Sequence, residues 1–513
     1  MKRTKVLLVG MYGIENSGVR HLASMLRDRG GYTAEILFFE DWRNNQVQWP
    51  TVHEYELLID HVREHDYQLV GLSFGSPYWR IAIELTRRLK AALGDRVTVL
   101  WGGLHTTLVP DDCIDHADAL IIGEGEYPLL ELVDRMEAGE PWHDVQSVWT
   151  RDAQGELVKN PIRPLMTELD ELPFRVLGGS GIWLIDGGRK REGDPLLKHH
   201  EFRIFASRGC PFSCAYCYNS SLKAIYPDGG NLHRRRSVAS VMEELRLART
   251  KVPNLRWVKF DDDTFVFPKR WIKEFAEAYG AEFSDLPFDC MITPEVVRRD
   301  NLELLIGAGL RGVQLGIEAG SDREQREVYE RTSTVEQVLA FDRMNVDLGL
   351  DVKYDVIIDN PLAIKSDKEA LFHLLMDMQG PYKIYLYSLT LFPRSGVTQK
   401  IIDAGLATPW DVEGYATKSF HQFRVSIDWP RSDEDTYYLA LLMLVNKQFI
   451  PKRLLWHFHG SEFWRSHPHT LLEIAGAANL IRMTRIAAEM LFRGELSLQK
   501  VREYSNIRKM INQ

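Results

Sequence analysis

Apolar, strand-sized runs alternate with amphipathic helical stretches twice along this chain, and that rhythm leaves few folds open. In the first 140 residues, Lys5–Met11, Ala34–Phe39, Leu69–Phe74, Val97–Trp101 and Ala119–Ile122 read as strands, and Ile81–Leu93 and Tyr127–Met136 as helices. Strands that are apolar along their whole length imply a parallel sheet covered by helices on both faces. Residues 1–140 are therefore expected to form a doubly wound, Rossmann-like α/β domain. Such sheets bind ligands in the loops at the C-terminal ends of their strands. Those ends are small here: Gly71-Leu-Ser-Phe-Gly75, Trp101-Gly-Gly-Leu-His105 and Gly123-Glu-Gly-Glu126. Three in succession favour a ligand cleft, although each glycine alone is explained by a tight turn.

A second series starts near residue 201. Strands end near Phe205, Phe260, Ile292, Ile317, Ile357 and Leu391, with helices Val238–Arg249, Arg270–Tyr279, Leu302–Ala308, Val335–Asp347 and Lys368–Met378 between them. Six successive βα units predict a (β/α)6 partial TIM barrel over residues 201–405. The Pro- and Gly-containing stretch 141–200 reads as an irregular linker. Residues 406–513 read as a mainly helical C-terminal domain, with helices at Glu434–Phe449, Leu471–Phe492 and Gln499–Ile511.

A net charge of −9 gives no broad electrostatic reason to expect a nucleic-acid partner. The basic start is followed by an apolar run too short for a signal peptide, and no run of uncharged apolar residues is long enough for a membrane span. A cytoplasmic location is the expectation.

Three of the five cysteines, Cys210, Cys214 and Cys217, fall within eight residues of one another. They lie in Ser207-Arg-Gly-Cys-Pro-Phe-Ser-Cys-Ala-Tyr-Cys-Tyr-Asn219, just after the first strand of the second series. Three thiolates can hold three irons of a cubane [4Fe–4S] cluster and leave the fourth iron open. An open position suits catalysis, here chelation of the amino and carboxylate groups of a methionine moiety. A zinc knuckle would want a second cysteine pair, and the isolated Cys113 and Cys290 do not provide one.

The Cys-x3-Cys-x2-Cys motif, with Tyr216 before its last cysteine, resembles that of the radical S-adenosylmethionine superfamily. The order of segments over roughly residues 1–400 is similar to its cobalamin-binding class: Gly102-Gly-Leu-His105, Gly123-Glu-Gly-Glu126, Arg234-Arg-Arg-Ser237, Phe260-Asp-Asp-Asp-Thr-Phe265 and Leu315-Gly-Ile-Glu-Ala-Gly-Ser-Asp322. The resemblance implies that Tyr216 lines the adenine pocket. It implies that Asp261 or Asp262 meets the methionine amino group, and that Glu318, followed by Ser321, lies near the ribose or methionine moiety. Arg236 would pair with the methionine carboxylate, or belong to a solvated arginine run. Cobalamin would thread between the strand ends near Ser73, Gly75, Gly102, Gly103, Gly123, Glu124 and Gly125, with His105 reaching its phosphate or amide groups.

The chain also departs from the family's pattern. The stretch after the first strand, Met11-Tyr-Gly-Ile-Glu-Asn-Ser-Gly18, has no Asp-x-His-x-x-Gly, which implies cobalamin without a histidine on cobalt; His21 reads as a surface or core residue. The fifth barrel strand runs into Asp355-Val-Ile-Ile-Asp-Asn-Pro361, where the family often has Gly-x-Pro. The sixth continues as Leu391-Phe-Pro-Arg-Ser-Gly396. Asp355, Asp359 and Arg394 are therefore the candidate substrate contacts, with loop solvation or internal salt bridging as the alternative.

The function implied is a radical methyltransferase acting on an unactivated carbon or phosphorus centre of a small molecule through a 5′-deoxyadenosyl radical and methylcobalamin. An external electron donor such as flavodoxin or ferredoxin would serve it. A non-methylating cyclisation or ring rearrangement is the alternative. Methylthiolation would need a further three-cysteine domain, and a scaffold with a relict barrel would not need intact cysteines.

Overall fold

The computed structural model describes residues 4–41, 49–226, 233–265, 267–407, 431–447 and 449–492. The expected helix at Gln499–Ile511 lies outside them. Among the described residues, no helix is long and apolar enough to cross a membrane.

The N-terminal sheet is built on β1 (Lys5–Met11), β2 (Thr33–Phe39), β3 (Leu69–Ser73), β4 (Thr98–Gly102) and β5 (Ala119–Ile121). These five strands are parallel and ordered β5-β4-β3-β1-β2. Alternate residues of β1 serve two cores: Val6 and Leu8 pack on one face, Leu7 and Val9 on the other. That two-sided burial is why the strands read as continuous apolar runs. The chain order reverses between β1 and β3, the place where doubly wound sheets bind ligands. Helix Val52–His65 covers one face, started by a capping box of Thr51 and Glu54 and ended by Asp66 in the left-handed region.

Residues 141–200, expected as an irregular linker, add four strands to this sheet. β6 (Val148–Arg151) and β7 (Leu157–Lys159) extend the β5 edge; β8 (Ile182–Asp186) and β9 (Arg189–Glu192) extend the β2 edge. The N-terminal α/β unit therefore runs well past residue 140. A buried bidentate ion pair between Arg20 and Asp194, at 2.8 Å, ties the segment after β9 to helix Ser17–Ser24.

The second unit is a six-stranded, all-parallel sheet in chain order: β10 (Glu201–Ile204), then, after the short pair β11 (Ser207–Arg208) and β12 (Arg234–Arg235), β13 (Trp257–Phe260), β14 (Phe288–Ile292), β15 (Leu310–Glu318), β16 (Asp351–Ile358) and β17 (Tyr382–Ser388). Sequential parallel order is the topology of a partial (β/α) barrel. In β16 the residues alternate: Val352, Tyr354, Val356 and Ile358 are buried in the helix-packed core. The opposite face is polar, with Lys353 on Asp289 at 3.2 Å and Gln314 on Asp355 at 2.6 Å. Of the C-terminal helices Asp433–Val445, Lys452–Gly460, Glu462–Ser466 and Pro468–Phe492, the first packs on helix Lys365–Asp377 and the others pack on it; the Asn446 side chain bonds both backbone groups of Ile384 in β17.

Candidate active site

The three cysteines sit on one loop between β11 and helix Tyr218–Ile225. They are half-buried and unbridged. Lys223 Nζ holds the loop's shape by donating to the carbonyls of Pro211 (3.0 Å) and Phe212 (2.7 Å). The Cys217 amide donates to the Cys214 carbonyl at 3.0 Å. Burial pushes the Cys210 thiol up to about 11 and the Cys217 thiol up to about 12, and the neighbouring sulfurs push the same way. Three crowded thiols that resist ionisation singly are stabilised as thiolates by a cation among them, so the donor set fits an iron cluster.

A cavity of about 440 Å³ opens directly beside this loop. That is within the range, roughly 300–1,000 Å³, of pockets that hold small molecules. One wall comes from the N-terminal strand ends: Ser73, Gly102, Gly103, Gly123, Glu124 and Gly125, over a floor of Leu8, Leu100 and Ile121. The other comes from the barrel: Ser207, Arg208, Gly209, Tyr218, Asn219 and Asp263. Gly103 and Gly123 are glycine for backbone reasons, with φ of +95° and +85°; added Cβ atoms would also lie 2.7 Å from the Phe74 carbonyl and 2.6 Å from Tyr226 Oη. Gly102 differs, because a Cβ there meets nothing within 4 Å. It keeps the wall open, which fits a bulky cofactor such as cobalamin. His105 does not reach this wall. It is buried, with Nδ1 3.0 Å from Ser76 Oγ and its ring 5.5 Å from that of Trp79. Gly75 also lies off the cavity, at the start of the Ser76–Tyr78 turn. His21, expected on a surface or in a core, lines the cavity; its Nδ1 is 3.4 Å from the Pro173 carbonyl, and burial, reinforced by Arg208, lowers it to about 4.

Charge pairs join the two walls. Arg208, two residues before Cys210, donates to Glu124 (3.2 Å) and Glu126 (2.6 Å), and Arg234 donates twice to Glu124 at 2.8 and 2.9 Å. The loop after β5 and the cysteine loop are thus held by one network.

The residues assigned to S-adenosylmethionine by resemblance separate into two groups. Tyr216 donates to Glu318 Oε1 at 3.1 Å, and Arg331 binds both, at 3.2 Å each. Glu318 lies at the end of β15 with φ +55°, and burial lifts its carboxyl to about 7 despite Arg331. Arg331 was not singled out in the sequence. The other residues are engaged elsewhere. Asp261 pairs with Arg203 at 2.9 Å. Asp262 is fully buried, accepts from Ser207 Oγ and the Ala206 amide, and is lifted by burial to about 7. The third acid, Asp263, accepts from Tyr218 Oη at 2.8 Å and is the one on the cavity wall. Arg236 also lines the cavity, with its guanidinium on Glu244 at 2.5 Å; Arg175 holds the other oxygen of Glu244 at 3.0 Å. Ser321 caps the turn that follows it, accepting from the Glu324 amide and donating to Asp367 at 2.6 Å.

The three expected substrate contacts do not converge on the cavity. Asp359 is held by a bidentate pair to Arg431, at 2.6 and 2.7 Å, and by Ser388 at 2.6 Å. Its φ is +59°, which explains why glycine would suit the position; aspartate is among the non-glycine residues that tolerate this region best. Asp355 lies inside the barrel sheet against Gln314. Arg394 is exposed, with φ +61°, and its carbonyl accepts from Ser221 at 2.9 Å.

Residues 5–133 match the B12 binding domain family and residues 204–369 the radical SAM superfamily, together more than half of the chain. Among curated proteins, an uncharacterized methyltransferase, PH0819, of Pyrococcus horikoshii is 26% identical over 60% of this chain. The anaerobic magnesium-protoporphyrin IX monomethyl ester cyclase of Rubrivivax gelatinosus is 27% identical over 62% of it. The matches span 61% and 54% of those two proteins. Among solved structures, the radical S-adenosylmethionine methyltransferase TsrM of Kitasatospora setae, with cobalamin and a [4Fe–4S] cluster bound, shares the fold at a TM-score of 0.62 and 18% identity, over 78% of each chain. A B12 binding domain followed on one chain by a radical SAM barrel, the two facing each other across a single cavity, places this protein in the cobalamin-binding class of the radical S-adenosylmethionine superfamily.

Proposed function

We propose that this chain is a cobalamin-dependent radical S-adenosylmethionine methyltransferase acting on an unactivated carbon or phosphorus centre of a small molecule. One observation carries the reading: the strand ends of the B12 binding domain and the residues that flank the cysteine loop, Arg208, Gly209, Tyr218 and Asn219, line one cavity. When bound, the cluster supplies an electron to S-adenosylmethionine, and cobalamin carries the methyl group to be transferred.

The chain's own residues bind and orient. Cys210, Cys214 and Cys217 would hold the cluster. Tyr216, Glu318 and Arg331 form a hydrogen-bonded set beside it that suits a ribose or an aminoacyl group, because a carboxylate and a guanidinium offer both acceptor and donors. Ser73, Gly102, Gly103, Gly123 and Gly125 would admit cobalamin. Arg208, through Glu124 and Glu126, fixes the spacing of the two walls, and positioning at this scale governs radical transfer. Asp263 and Tyr218 offer the cavity an acceptor and an aromatic face. Flavodoxin or ferredoxin in the cytoplasm would be the electron source.

A second reading keeps both cofactors but forms a ring without methylation, and the similarity to a cyclase at 27% identity favours keeping it in view. Anaerobic assay against small molecules drawn from the genomic neighbourhood, read by mass, tests both. A product one methyl heavier supports the first reading, and an isomerised or dehydrogenated product the second.

A further inference from the structure

On the face of the N-terminal sheet that packs helix Val52–His65, the last turn of that helix carries His61, Glu64 and His65. Spacing of i, i+3 and i+4 places them on one helix face. One ring nitrogen of each histidine and a carboxylate oxygen of Glu64 lie within 4.8 Å of one another. None of the three lines the 440 Å³ cavity.

The surroundings prepare the imidazoles to bind a metal. His61 is fully buried, with Nε2 3.3 Å from Tyr67 Oη and Nδ1 without a hydrogen-bond partner. A buried ring nitrogen left so is costly unless a ligand meets it. His65 Nδ1 is 2.9 Å from the His61 carbonyl. A carbonyl only accepts, so Nδ1 carries the proton and Nε2 holds a lone pair. A backbone carbonyl behind the far nitrogen is how metal-binding histidines are commonly oriented. The site lies at the negative end of the helix dipole, which favours a cation. Trp183, with ring centres 4.7 Å from His61 and 5.5 Å from His65, shields one side. Lys190 Nζ, at 2.9 Å, now neutralises Glu64.

We propose that His61, Glu64 and His65 form a binding site for a divalent cation of the zinc class, with Lys190 as an internal competitor for the Glu64 carboxylate. Two imidazoles and a carboxylate suit zinc and leave a fourth position for water. The bound ion would clamp the last turn of Val52–His65 and release Lys190 of β9 from Glu64.

The test is a Zn²⁺ titration by calorimetry of the cluster-loaded chain, whose cysteines are occupied, repeated in the chain with Cys210, Cys214 and Cys217 all changed to alanine. One equivalent should bind in both backgrounds. Glu64→Gln, at an exposed site, and His65→Ala, at a half-buried one, should each weaken binding by about tenfold or more. Lys190→Met should tighten it, a direction that damage to the fold does not produce. Zn²⁺ uptake that vanishes with the cysteines, that is unchanged in His65→Ala, or that weakens in Lys190→Met overturns the proposal.

Discussion

Replacing Arg208 by methionine should separate the two walls of the cavity energetically. The Arg208 side chain is 26% exposed, and those of its partners Glu124 and Glu126 are 22% and 7% exposed. Glu124 keeps Arg234 in the variant. Glu126 loses its only guanidinium contact among the described residues and stays buried. Removing one partner of such a pair costs about 3 kcal/mol, the low end for buried pairs, because Arg208 is partly solvated. For a unit of this size that is roughly a 6–12 °C fall in Tm. Burial alone would raise the Glu126 carboxyl, and Arg208, aided by His21 and a backbone hydrogen bond, more than offsets it, holding the group below the usual carboxylate range. A lowered folded-state pKa contributes stability that is present above the unfolded value of about 4.3 and fades as pH falls through the folded one. The deficit of the variant should therefore be wide at pH 8 and narrower at pH 5, where the uncompensated Glu126 takes up a proton. Glu126→Gln in the same chain should restore most of the loss, since an amide needs no counter-charge. The assay is anaerobic urea unfolding of the four chains of the double-mutant cycle at both pH values. A loss below about 1 kcal/mol, typical of an exposed pair, or no rescue by Glu126→Gln, would refute the reasoning.

Three further outcomes follow from the site. Anaerobic reconstitution should load about four irons and four sulfides per chain, and alanine at Cys210, Cys214 and Cys217 together should abolish both the cluster and release of 5′-deoxyadenosine; cleavage that survives the triple change contradicts the assignment. His21→Ala should leave the cobalt electron paramagnetic resonance spectrum of the cobalamin-loaded chain unchanged, and nitrogen hyperfine coupling that disappears with His21 would make it a ligand. Because Glu318 is held near 7 by burial, with Arg331 opposing, its anionic, accepting form gains population as pH rises from 6 to 8. S-adenosylmethionine should accordingly bind more tightly across that interval, measured by equilibrium dialysis, and Glu318→Gln should flatten the profile. A slope that persists in the variant moves the titrating group elsewhere.

What the sequence made legible follows the physics of each feature. The parallel strands of the N-terminal sheet announced themselves because both faces are apolar, and the cysteine spacing because iron needs thiolates at short range. The strands of 141–200 were hidden for the opposite reason. β7 has only three residues and β9 reads Arg-Lys-Arg-Glu, an edge strand with no apolar alternation to detect. Among the three consecutive acids after Phe260, only the fold tells which faces the cavity, because Asp261 and Asp262 are taken by Arg203 and by Ser207 with the Ala206 amide. The unusual carboxylate at Asp359 looked like a substrate contact until its partner appeared 72 residues away, at Arg431. Arg331 joined Tyr216 and Glu318 by the same kind of distant pairing, 115 residues from Tyr216. Strand periodicity and local motifs carry no information about such pairs.

The central claim, methyl transfer by two cofactors meeting in one cavity, is tested most directly with S-adenosylmethionine deuterated in its methyl group. With a turned-over substrate, each product should be about three mass units heavier than with unlabelled reagent, and should accompany one 5′-deoxyadenosine and one S-adenosylhomocysteine, because one molecule supplies the radical and another the methyl group. Product that forms with 5′-deoxyadenosine but without the label, and without stoichiometric S-adenosylhomocysteine, would contradict methyl transfer and leave the ring-forming chemistry in its place.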